Sequence, residues 1–275
     1  MSMRIYTNFM ALVVHRHLQT TQKEFEQALE RLSSGLRINH AYEDAAGLAI
    51  SEKMRAAITS YTQCMRNVED GLSLLQTADG ALAIIDEKLR RMRQLAIQAA
   101  NDTYGSDERT YMNIEFRHLY SEISRIASVT EFAGRKLLDG TLTSFHLQIG
   151  IYSNTVIDQL WLSIGDARAS ALGLFNASVN DLDAAKSAID LIDSAINSKL
   201  NIRANIGALM NRLENALENT KIQRENLTAA ESRIRDADVA EEMTAFVRAR
   251  FLMQSGVAML AQANAYPDIL LRLIV

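Results

Sequence analysis

The chain has 275 residues, of which 48% are hydrophobic, and a formal net charge of −4. That length can build a large core in one or two domains. The mildly acidic balance implies no general attraction to nucleic acid or to anionic lipid. The single cysteine, Cys64, excludes an internal disulfide and reads as a small hydrophobe inside a helical pattern. One proline, Pro267, and 12 glycines leave room for helices far longer than the usual three turns.

In chain order, the opening stretch from Met1 to Asn8 has no basic region followed by an apolar run and a cleavage site. A cleaved secretory leader is therefore not expected. Helix is predicted over 4–33, with a loose stripe of Leu18, Phe25, Leu29 and Leu32. Ser33-Ser34-Gly35-Leu36-Arg37-Ile38-Asn39-His40-Ala41 breaks it with small and turn-forming residues. A long helix then starts near Asp44 or Ala46 and fades at Asn101-Asp102, a span of roughly 85 Å at the helical rise. Its apolar positions Leu75, Ala78, Leu82, Ile85, Leu89, Met92, Ala96 and Ala99 step by three and four, which is a heptad seam.

After a turn at 101–107, a third helix carries Met112, Phe116, Leu119, Ile123 and Ile126. Residues 132–165 change character: glycines punctuate the alternating runs Phe145–Ile149 and Gln159–Ile164, which read as strands of one or two small hairpins. Helix returns near Asp181 with the seam Leu182, Ala185, Ile189, Ile192 and Ile196, and ends near Asp236, matching the first long helix in length. A last helix over 239–265 carries Val239, Met243, Phe246, Val247 and Leu260 and could continue past Pro267. Each terminal helix alone would leave an apolar face wet, so each needs the other terminus, a neighbouring subunit, or both.

The expected architecture is mainly α: a long antiparallel, coiled-coil-like helical rod over 45–236, with a β-hairpin region at 132–180, and terminal helices and linkers at 1–44 and 237–275 that pair with each other. No segment approaches the ~20 apolar residues of a membrane span. The five histidines are scattered and no HExxH occurs, so no metal site, cofactor site or catalytic residue is expected, and the chain does not read as an enzyme.

Local motifs sharpen this. Glu30-Arg31-Leu32-Ser33-Ser34-Gly35-Leu36-Arg37-Ile38-Asn39 followed by Asp44-Ala45-Ala46-Gly47-Leu48-Ala49-Ile50 resembles the N-terminal core of bacterial flagellin. Arg66-Asn67, Asp70-Gly71 and Gln76-Thr77-Ala78-Asp79-Gly80-Ala81-Leu82 follow in the family's order. Ser232-Arg233-Ile234-Arg235-Asp236-Ala237-Asp238, Gln254-Ser255-Gly256 and Leu260-Ala261-Gln262-Ala263-Asn264 resemble its C-terminal core. With only 132–180 between the helical halves, the chain resembles a minimal flagellin without large outer domains. His40, Tyr42 and Cys64 depart from the family's usual residues.

The resemblance implies a structural subunit that polymerises with itself into the flagellar filament for motility, secreted through the flagellar type III export channel to an extracellular position. It implies as partners an export chaperone at the C-terminal helix, hook-associated and cap proteins, and a host Toll-like receptor, with no nucleic acid and no membrane insertion. It also places the subunit-contact and receptor-epitope candidates at Arg91, Leu95 and Gln98, with Gln94 departing where an acidic residue is common. Steps of four and three put these three on one helix face, offset from the Leu89–Met92–Ala96 seam, so they are expected to be exposed together. The alternatives are a hook–filament junction protein and a surface-displayed ligand-binding protein built on the same fold.

Overall fold

The computed structural model describes the backbone of residues 7–274 and the side chains of residues 7–265. In chain order the described elements are α1 (Phe9–Ser34), α2 (Ala45–Ala99), α3 (Ser106–Val129), β1 (Glu131–Phe132), β2 (Arg135–Lys136), β3 (Phe145–Gln148), β4 (Gln159–Leu162), α4 (Leu182–Arg235) and α5 (Val239–Ile274). The two long helices match in length, at 55 and 54 residues. Helix α5 passes through Pro267. The chain divides into two compact units, Met1–Ile58 with Asn226–Val275, and Thr59–Glu225.

In the first unit, α1 and α5 lie antiparallel. Asn8 caps α1: its Oδ1 accepts the Ala11 N–H at 3.1 Å, and its Nδ2 donates to the Ala263 carbonyl at 2.7 Å. Further along, Phe25 stacks on Phe246 with ring centroids 4.8 Å apart, and Ala28 and Ala249 are buried between the helices. Gly35, at φ 72°, ends α1 in the left-handed conformation and donates its N–H to the Arg31 carbonyl.

The two linkers then zip together. Leu36 bridges Asp236, Arg37 N–H donates to the Arg235 carbonyl, and Ala237 N–H donates to the Gly35 carbonyl. The Arg37 guanidinium caps the end of α4 by donating from Nε (3.1 Å) and Nη2 (2.5 Å) to the Ile234 carbonyl. Asp44 caps α2 by accepting the Gly47 N–H at 2.8 Å. A Cβ at position 47 would sit 2.3 Å from Asp44 Oδ2, so the cap requires glycine there.

In the second unit, α3 and α4 pack on the seam of α2. Leu75, Ala78, Leu82, Ile85, Leu89, Met92, Ala96 and Ala99 are fully buried, as the heptad spacing predicts. Phe116, Ile123 and Ala127 of α3, and Ala185, Ile192, Ile206 and Leu213 of α4, close the same core. Two antiparallel hairpins complete the unit. Ala133 (φ 48°) and Gly134 (φ 77°) form the tight turn between β1 and β2. Strands β3 and β4 pair in the register His146↔Trp161 and Leu147↔Leu160, so Leu147, Leu160 and Leu162 face the core. The irregular stretch 166–181 also contributes to the core, burying Ala167, Ala169, Leu174 and Val179.

Candidate subunit-contact surfaces

Among the described residues, no group of His, Cys, Asp or Glu is arranged to hold a metal ion, and no helix is long and apolar enough to cross a membrane. Cys64 is buried and its thiol donates to the Gly150 carbonyl at 3.2 Å. Burial and the nearby Asp158 carboxylate both push the thiol pKa up, so it is held as the unreactive form. The informative features are surfaces.

The first surface belongs to the α1–α5 pair. Among the described residues the helices cover each other on part of their surface. Phe9 (71% exposed), Met10, Leu12, Val247, Phe251 (70% exposed), Leu252, Val257 and Met259 stay in solvent. Single exposed apolar residues are ordinary, and contiguous apolar patches are less so; here eight exposed apolar side chains lie on one helix pair. At Gly256 the helices approach closely: a Cβ there would lie 3.0 Å from Leu18 Cδ1.

The second surface lies on α2 and α3. Arg91 is exposed and forms a two-pronged pair with Glu115, Nε to Oε1 at 2.8 Å and Nη2 to Oε2 at 3.2 Å. The hydrogen bonds and charge of Glu115 hold the Arg91 pKa above its ordinary value. Gln94 accepts from Arg91 Nη1 at 3.4 Å, and Gln98 is exposed on the next turn.

Leu95 corrects the sequence reading. It is only 2% exposed and belongs to the core, so Arg91, Leu95 and Gln98 do not form one exposed patch. The reason is geometric. A heptad seam describes a helix with one partner. Helix α2 has α3 on one flank, through Arg91–Glu115, and α4 on the other, through Arg93–Asp193. Two partners bury a wider arc, which takes in Leu95 beside Met92 and Ala99. The sequence reading also missed Glu115, which no spacing on α2 can reveal, because it comes from α3.

Comparison with known proteins decides the family. Residues 5–143 match the bacterial flagellin N-terminal helical region and residues 189–274 the C-terminal helical region. The flagellin of Halalkalibacterium halodurans is 45% identical over 272 residues, covering 99% of this chain and 100% of the relative. The chain belongs to the bacterial flagellin family. It is a structural subunit of the flagellar filament, and it is a small flagellin without a large outer domain.

Bacillus subtilis flagellin is 42% identical, covering 99% of this chain and all of its own length. The flagellar filament 33 kDa core protein of Treponema phagedenis is 39% identical, with 95% and 96% covered. Among solved structures, Bacillus cereus flagellin superposes with a TM-score of 0.51 at 34% identity, covering 60% of this chain and 94% of its own. A putative flagellar hook-associated protein from Vibrio parahaemolyticus shares the fold, with a TM-score of 0.55, at 14% identity.

Proposed function

We propose that this flagellin polymerises through the outward apolar faces of α1 and α5, with the α2–α3 surface around Arg91 and Gln98 as a second subunit contact. The observation that carries this is the α1–α5 pair itself. It is closed on part of its surface and left with Phe9, Met10, Phe251 and Met259 in water elsewhere. Burying such faces between copies is favourable by about 25 cal/mol per Å² of apolar area, and a helical homopolymer repeats that gain at every subunit.

In this reading 1–44 and 237–275 form the inner core of the filament and 45–236 the outer core. The subunit is exported through the flagellar type III channel, with a chaperone covering α5 beforehand, and is placed outside the cell between hook-associated and cap proteins. A host Toll-like receptor would meet the surface around Arg91 and Gln98, with Leu95 supporting that surface from beneath. A hook–filament junction role has only the low-identity likeness of fold in its favour.

Seeded assembly followed by electron microscopy tests the proposal. Copies lacking residues 1–34 are expected to leave seeds at their starting length while circular dichroism still reports a folded Thr59–Glu225 unit. Growth of normal filaments from the truncated chain would refute it.

A further inference from the structure

The seam between α2 and α4 holds a charged residue, which an apolar seam should not. On α4, positions 185, 192, 199, 206, 213 and 220 recur at seven-residue steps and all are buried. They are Ala, Ile, Lys, Ile, Leu and Thr. Lys199 is 1% exposed, and its ammonium pairs with Asp86 of α2. Asp86 in turn receives Arg90 at 2.8 Å. The pairing is flanked by two others across the same helix pair: Arg203 on Asp79 at 2.6 Å and Arg93 on Asp193 at 2.7 Å. On α2 the three partners, Asp79, Asp86 and Arg93, are themselves one heptad apart.

A strict heptad seam cannot specify its own register. Sliding α4 past α2 by seven residues brings apolar positions back onto apolar positions. The charges match only in part after that slide. In one direction Arg203 reaches Asp86, but Lys199 arrives opposite Arg93, which sets a buried cation against a cation, and Asp193 moves past the end of the ladder to Ala100. In the other, Lys199 reaches Asp79, but Asp193 arrives at Asp86 and Lys186 at Arg93. A buried ion pair is weak evidence for added stability, but one polar residue at a core heptad position is a well-attested device for choosing register. We propose that Asp79, Asp86 and Arg93 with Arg203, Lys199 and Asp193 form a register code, which selects a single alignment of α2 against α4 as the chain folds and rejects both one-heptad slips.

The code has an unusual test, because one double substitution keeps the native pair while erasing both penalties. Exchanging Arg93→Asp with Asp193→Arg preserves attraction in the native register. After one slide Lys199 now meets an aspartate. After the other, Asp86 meets an arginine and Lys186 an aspartate. Spin labels on exposed Gln76 and Ser187, in a Cys64→Ser chain, would lie roughly 33 Å apart along the axis in the native register. A one-heptad slip lengthens or shortens that separation by about 10 Å.

The full chain is unfolded in denaturant, returned to buffer, frozen within seconds and measured by pulsed dipolar spectroscopy. The chain with its natural ladder is expected to give one distance. The exchanged chain is expected to give added populations about 10 Å longer and shorter. A second variant, Lys199→Met, leaves Asp86 paired with Arg90 and restores an apolar seam, so it should add only the longer population. If the exchanged chain does not regain its helical signal, the Lys199→Met chain decides alone. A single unshifted distance in every folded variant would overturn the proposal.

Discussion

Arg91 and Glu115 join α2 to α3 by two parallel hydrogen bonds of 2.8 and 3.2 Å on an exposed face. The guanidinium is thus held in one orientation before any partner arrives, so a neighbouring subunit meets a rigid composite of two helices. Replacing Glu115 with alanine should leave thermal stability nearly unchanged, because exposed pairs contribute little. It should nevertheless slow filament elongation, since Arg91 would lose its fixed orientation. Elongation rates from seeds, measured beside thermal melts, separate the two effects; a large melting shift with normal growth would contradict this.

Leu95→Ala should act through stability. The side chain is 2% exposed in the core of the second unit, and removing it leaves a cavity that costs about 2–5 kcal/mol. Denaturant unfolding of the monomer should show that loss. Gln98→Ala, on the exposed side, should unfold like the natural chain. Equal unfolding midpoints for Leu95→Ala and the natural chain would show that Leu95 is not a core residue.

At Gly256 a Cβ would meet Leu18 Cδ1 at 3.0 Å. A leucine tip can give by a few tenths of an ångström, and alanine gains up to about 1 kcal/mol of helix propensity over glycine. Gly256→Ala should therefore assemble normally. Gly256→Val adds branches that the tip cannot clear, and should separate α1 from α5 and block polymerisation. Filament yield from the two variants under identical seeding checks this.

Glu43 gathers the linker into α1. Its Oε2 accepts the N–H groups of Asn39 (2.8 Å) and His40 (3.2 Å), and its Oε1 accepts Gln27 at 2.9 Å and faces Arg31 at 3.6 Å. Burial alone would raise the carboxyl pKa, but those hydrogen bonds and the Arg31 charge outweigh it and hold the pKa below its ordinary 4.5. A depressed carboxyl stabilises the fold fully above the unfolded value and loses that stabilisation as pH falls through the folded one. Amide protection across 37–44 should therefore stay constant from neutral pH down to about 4.5 and drop below it. In Glu43→Ala the protection should already be low at neutral pH and change little with acid.

Burial in the two units differs enough to predict their order of opening. The second unit closes a continuous core, whereas α1 and α5 bury chiefly Ala28, Ala249 and Ala263 between them. Few buried contacts mean low local stability. Hydrogen exchange on the monomer should show α1 and α5 exchanging well before α2 residues 75–99, and filaments should protect all of them. Equal protection of both units in the monomer would contradict this order of opening.

The helices were legible from sequence because each carries its own periodicity. Leu75 to Ala99 step by three and four, and those side chains are the buried ones. The family, too, was legible, because Glu30–Asn39 and Leu260–Asn264 are local strings that need no structure to read. The tertiary structure alone decided what lies across from each helix. Leu95 looks peripheral to a seam with one partner and is buried by a second partner. Lys199 continues a heptad series that spacing reads as core, and only Asp86 on the opposing helix explains a cation there. Periodicity is a property of one helix and is written in its own residues. Burial width and charge pairing are properties of two helices brought together from distant parts of the chain, and no local pattern records them.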